Sequence, residues 1–131
     1  MIEGKELALA VASYADAKQA EDIVVLDLTG ISTITDFFVI CNGGSLPHLK
    51  AIRRGVAEQL LEEHGVKDSS RDGAPESHWM VLDYGDVILH VFHEDKRGTY
   101  SLEELWSDAP RVPFESIADR AGRGDEKGVQ P

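Results

Sequence analysis

The chain contains a single cysteine, Cys41, among 131 residues. A lone thiol excludes an internal disulfide framework, and its place inside an apolar run suits a reducing compartment. No run approaches the roughly 18 apolar residues that a membrane crossing needs. The start, MIEGKELALAVASYADAK, also lacks the basic leader and long apolar stretch of an export signal. These absences predict a soluble, unexported, cytoplasmic protein. Basic residues are scarce, with 13 Lys and Arg against 24 Asp and Glu, a formal charge of −11. Such a field repels phosphate backbones and anionic lipid and attracts basic proteins. Extensive nucleic-acid coating and membrane binding are therefore not expected. There is no internal repeat.

What is present reads as one α/β domain over residues 1–114, followed by a polar, flexible tail over 115–131 that is rich in glycine and poor in apolar anchors. From Glu3 to about Gln19, Leu7, Val11 and Tyr14 recur at helical spacing beside Ala8, Ala12 and Ala15, leaving Asp16 and Lys18 to water. Ile23 to Leu28 and Asp36 to Cys41 are short, β-branched or aromatic runs, too short for helices and apolar on both faces, so both read as central strands. Asn42-Gly43-Gly44 ends the second, and Ser45 caps a helix carrying Leu49, Ile52, Val56 and Leu60 until Gly65. Lys67 to His78 lacks an apolar period and reads as a surface loop. Met80 to Leu82, then Asp83-Tyr84-Gly85-Asp86, then Val87 to Phe92 is a hairpin pattern. A short strand is expected near Gly98 to Tyr100. Ser101 and Glu104 form a capping box for a helix from Leu102 to Trp106, with Pro110 and Pro113 limiting its extension. The order implies a mixed β-sheet covered by helices.

Three groups of residues bear on chemistry. Asn42 to Ser45, between strand and helix, is either a plain capped turn or an anion-binding loop at the positive end of a helix. It matches neither GxGxxG nor the phosphate-loop pattern with its lysine. His48 shapes the surface beside these glycines. Asp83 and Asp86 flank the hairpin turn; each either supports the turn through its own backbone, contacts a partner, or holds a cation. Paired carboxylates of a two-metal site are missing from that strand, which weighs against nucleotide transfer. His90 and His93 project to opposite faces and do not share a metal. His90 reads as a buried or half-buried histidine bonded to a neighbour, or as a partner contact. Cys41 ends a buried strand with no base beside it and reads as core. No cofactor, metal or catalytic residue is expected.

The third group is aromatic. Trp79, Tyr100, Leu102 and Trp106 bracket the hairpin and either pack as core or present a protein-binding hot spot. Lys96 and Arg97 form a small basic island beside them, able to meet a partner acid at the rim or to stand in solvent.

TDFFVICNGGSLPHLKAI, Thr35 to Ile52, together with WMVLDYGDVILHVFHEDKRGTYSLEELW, Trp79 to Trp106, resembles the Iojap-related ribosomal silencing factor family from about Leu7 to Ala109. The ordered combination is specific where any one motif is weak. Thr35, Asp36, Gly43, Ser45, His48, Trp79, Asp83, Gly85, Asp86, His90, Tyr100, Leu102, Glu103, Leu105 and Trp106 match motif positions. Pro47 departs from the pattern, standing where relatives place a longer, often polar residue, yet it fits a first helical turn. The resemblance implies a nucleotidyltransferase-like fold without its catalytic carboxylates. It further implies binding to the large ribosomal subunit through ribosomal protein fourteen, steric blockade of subunit joining, and a homodimer when unbound. The expected partner-binding set is Trp79, Asp83, Asp86, His90, Lys96, Arg97, Tyr100, Leu102 and Trp106. The rival is a nucleotide- or anion-binding enzyme using Asn42 to Ser45 with Asp83 and Asp86.

Overall fold

A computed structural model describes residues 2–74, 78–97 and 106–115. Two helices and six strands run in the order α1 (Gly4–Ala17), β1 (Glu21–Asp27), β2 (Phe37–Gly43), α2 (Leu46–His64), β3 (Ser70–Ala74), β4 (Trp79–Asp83), β5 (Val87–His93) and β6 (Arg111–Val112). They form one mixed sheet ordered β3-β4-β5-β2-β1-β6. β2 and β5 run parallel, with Phe37 beside Val87 and Gly43 beside His93; every other neighbouring pair is antiparallel. This is the expected α/β class with helical cover.

Side-chain alternation sorts the sheet into two faces. Val25, Val39, Cys41, Met80, Leu82, Leu89 and Val91 point toward the helices and meet Leu7, Val11, Leu49, Ile52, Val56 and Leu60 in one core cluster. Leu26, Phe38, Ile40, Ile88 and Phe92 point the other way, where Trp79, Val81, Trp106 and Ala109 pack against them. Strands buried on both faces must be apolar throughout, which explains the unbroken run from Phe37 to Cys41.

Local signals set the element ends. Ser45 Oγ accepts from the His48 amide at 3.2 Å, so α2 begins where its cap lies. Gly65 closes it in the left-handed region (φ 67), with its amide on Leu61 O and the Val66 amide on Leu60 O. α1 has no side-chain cap of its own. Its first amide, Gly4 N–H, instead donates to Asp86 Oδ2 at 2.7 Å, from the hairpin turn 82 positions along the chain.

The structure corrects several expectations. Lys67 to His78 is not wholly loop: β3 within it adds an edge strand through β4. A second unforeseen strand, β6, follows Pro110 and protects the β1 edge. Asp16 is buried rather than facing water; the chain reverses at Gln19 (φ 64), and the Gln19 and Ala20 amides return to Asp16 O and Ala15 O. The expected strand near Gly98 to Tyr100, the Ser101 cap, most of the helix to Trp106, and the tail beyond Glu115 lie outside the described residues.

Candidate protein-binding face

The turn after β2 is built from its own side chains. His48 folds back over Gly43, where a Cβ would stand 2.9 Å from its Nδ1, so only glycine fits. Nδ1 accepts from the Gly44 amide at 3.1 Å, while Nε2 donates to Lys18 O at 2.8 Å, which fixes the Nε2–H tautomer and ties the end of α1 to the start of α2. Of the amides that would cradle an anion, Gly44 and His48 are engaged here, Pro47 has none, and Leu49 donates to Ser45 O. The plain capped turn describes Asn42 to Ser45, and His48 shapes it.

The hairpin acids are engaged in the same way. Asp83 Oδ1 accepts from Gly85 N–H at 2.7 Å, supporting the turn through its own backbone as expected. Asp86 departs from that expectation, because its carboxylate holds Gly4 instead. Among the described residues no three His, Cys, Asp or Glu side chains converge as metal ligands. Cys41 is buried, and burial pushes its thiol up to about 12, far from a nucleophile's range. His64 meets the Tyr14 hydroxyl at 2.9 Å, and His78 packs against His93 with ring centroids 5.1 Å apart.

The other face of the sheet gathers aromatic rings. β4 places Trp79 beside β5, where it stacks on Phe92 at 5.4 Å and on His90 at 5.8 Å. The parallel register sets Phe38 on β2 edge-on to His90 at 4.5 Å, and Trp106 lies edge-on to Phe38 at 6.1 Å. His90 is only 6 % exposed, whereas Trp79 and Trp106 are half-buried. Trp79 Nε1–H donates to His90 Nδ1 at 3.2 Å. An imidazole accepting at Nδ1 must carry its proton on Nε2, and that atom is buried with no hydrogen-bond partner among the described residues. Burial lowers the His90 pKa to about 4, so the ring is neutral at physiological pH.

The sheet thus brings Trp79, His90 and Trp106 into one cluster with Phe38 and Phe92. Asp83 ends β4 about 14 Å along the strand from Trp79, and Asp86 lies in the turn beyond it. Lys96 is exposed past the opposite end of β5. Arg97 reaches across to Asn42 Oδ1 at 2.6 Å and to the Asp22 carbonyl, joining the ends of β2 and β1. Tyr100 and Leu102 lie outside the described residues. Phe38 joins the cluster through its parity with Ile40, which the parallel pairing sets beside His90.

The fold is thus an α/β domain with an aromatic sheet face, in which the Gly44 and His48 amides and the hairpin carboxylates are engaged within the fold. Residues 2–130 match the family model described as ribosomal silencing factor during starvation. A Bacillus subtilis (strain 168) protein named ribosomal silencing factor RsfS is 43% identical over 106 residues, covering 81% of this chain and 89% of the relative. Its namesake from Halalkalibacterium halodurans is 39% identical over 116 residues, covering 88% and 98%. A crystal structure of a Bacillus halodurans protein superposes with a TM-score of 0.72 at 37% identity, over 85% of this chain and all of that one. The chain belongs to the ribosomal silencing factor family, whose members are non-catalytic regulators of translation. No helix among the described residues is long and apolar enough to cross a membrane.

Proposed function

We propose that this protein binds the large ribosomal subunit through ribosomal protein fourteen and represses translation by standing where the small subunit must land. The observation that carries the reading is the aromatic cluster on the sheet face away from the helices, with Trp79 and Trp106 half-buried at its surface. Half-buried tryptophans bring large contact area at small ordering cost and dominate many interfaces. The charge of −11 speeds encounter with a basic ribosomal protein and rejects nucleic acid. A patch of about 800 Å² per partner is enough to obstruct subunit joining without any covalent step.

The proposed partner-binding surface is built from Trp79, Asp83, Asp86, His90, Lys96, Arg97, Tyr100, Leu102 and Trp106, with the tryptophans at its centre and the charged residues at its rim. The same reading includes cytoplasmic residence, a homodimer when unbound, and a sheet of nucleotidyltransferase type lacking the catalytic carboxylates. The rival nucleotide or anion site loses support because the Gly44 amide already donates to His48, Ser45 already accepts from the His48 amide, and Asp83 and Asp86 already accept from the Gly85 and Gly4 amides.

Co-sedimentation with purified large subunits, followed by a subunit-joining assay, tests the proposal. Saturable binding that lowers the yield of joined ribosomes is expected. Joining that proceeds unhindered at saturating protein would refute it.

A further inference from the structure

We infer that His90 is a positioning residue, which holds the Trp79 indole in its binding orientation through Nδ1 and does not itself touch the partner. The inference rests on the reading of Trp79 as a partner contact and assigns His90 a different role within that surface.

Burial comes first. At 6 % exposure, between Phe38 on one side and Trp79 and Phe92 on the other, His90 offers a docking protein almost no surface, whereas Trp79 is half-exposed on the same face. Hydrogen bonding comes second. The indole has a single donor, Nε1–H, directed at His90 Nδ1 at 3.2 Å. Flat stacking on Phe92, with 19° between planes, leaves the indole free to slide or turn over; the directional bond selects one orientation. The third point is a cost that the site carries. Accepting at Nδ1 places the proton on Nε2, a buried donor without a partner among the described residues. A phenylalanine would fill the same space without that cost, so packing alone does not account for an imidazole here. What the imidazole adds is the acceptor facing Trp79.

Among the described residues, the groups packed around His90 are the rings of Trp79, Phe92 and Phe38, with Val81 and Ile40 beside it in the sheet, and none of these is titratable or charged. The Nδ1 lone pair therefore stays available to Trp79 across the physiological pH range.

The experiment measures binding of the full chain to purified large subunits for wild type, His90→Phe, His90→Asn, Trp79→Phe and the double variant Trp79→Phe with His90→Phe. Asparagine sets its amide oxygen near the place of Nδ1, so it keeps the acceptor. His90→Phe is expected to weaken binding about tenfold, and His90→Asn to stay within about threefold of wild type. Once Trp79→Phe has removed the indole donor, His90→Phe should add no further loss. Nitrogen NMR of the wild-type protein reads the pair directly, as scalar coupling between Trp79 Nε1 and His90 Nδ1. If Trp79→Phe weakens binding but His90→Phe leaves it unchanged, or if the loss from His90→Phe persists undiminished in the double variant, the positioning role is wrong. Absence of the coupling overturns it even where His90→Phe does not fold. If Trp79→Phe and Trp79→Ala both bind like wild type, the underlying assignment of the face fails, and the inference with it.

Discussion

Acidification from about pH 7.5 to about pH 5 destabilises this fold through one buried side chain. His90 has an ordinary pKa of 6.5 when unfolded, lowered in the fold to about 4 because burial penalises the charged ring. Above 6.5 both states are neutral and the full stability is present. Below it the unfolded chain takes up a proton that the folded chain refuses, so stability falls by about 1.4 kcal/mol per pH unit until the folded value is reached. The loss reaches about 2 kcal/mol at pH 5 and levels off near 3 kcal/mol below pH 4. The assay is urea unfolding followed by circular dichroism at a series of pH values, for wild type and His90→Phe in parallel. The remaining histidines and the carboxylates are common to both chains, so the difference between the two pH profiles isolates His90. Wild type should lose about 2 kcal/mol more than the variant between pH 7.5 and 5. Parallel profiles across that window would refute the buried, neutral imidazole.

Further perturbations read other parts of the account. Gly43→Ala forces a methyl group to 2.9 Å from His48 Nδ1 and 3.2 Å from Leu49 Cδ2, and should destabilise the fold by about 1–3 kcal/mol in urea titration; an unchanged midpoint would mean that the turn is not closed as described. Asp86→Ala removes the acceptor for the first amide of α1 and should cost about 1 kcal/mol, whereas Asp36→Ala, at an exposed side chain, should cost less than about 0.5 kcal/mol. Equal losses in the two would dissolve the Asp86 assignment. Lys96→Glu should leave stability unchanged, while Arg97→Glu should lower it because Asn42 and the Asp22 carbonyl lose their donor. Comparable midpoints for those two variants would put Arg97 back in solvent. Cys41, buried with its thiol pushed up to about 12, should resist alkylation at neutral pH until the protein is unfolded, and rapid labelling of the native chain would contradict that burial.

How much of this was legible in the sequence depended on the range of the signal. The β1 and β2 runs, the Ser45 cap, the Gly65 stop and the β4–β5 hairpin are all written within a few residues, and each lies where the pattern put it. β3 escaped because its sequence, Ser-Arg-Asp-Gly-Ala, has no apolar alternation; the segment gains strand form only from pairing with β4. β6 escaped because two residues after a proline carry no period at all. The face itself was half legible. Trp79 and Trp106 announced themselves by size, but the partners that organise them join distant parts of the chain: Phe38 reaches His90 through a parallel register, and Asn42 reaches Arg97 from 55 positions away. Asp86 illustrates the same limit, since nothing near it in sequence shows that it closes the first turn of α1.

The most direct measurement of the central claim is the fraction of joined ribosomes formed from purified large and small subunits as this protein is titrated in, compared with Trp79→Ala shown to be folded by circular dichroism. The account predicts that wild type suppresses joining in a saturable way, and that the variant requires at least about tenfold more protein for the same suppression. Equal suppression by the two proteins, or none by wild type, would contradict it.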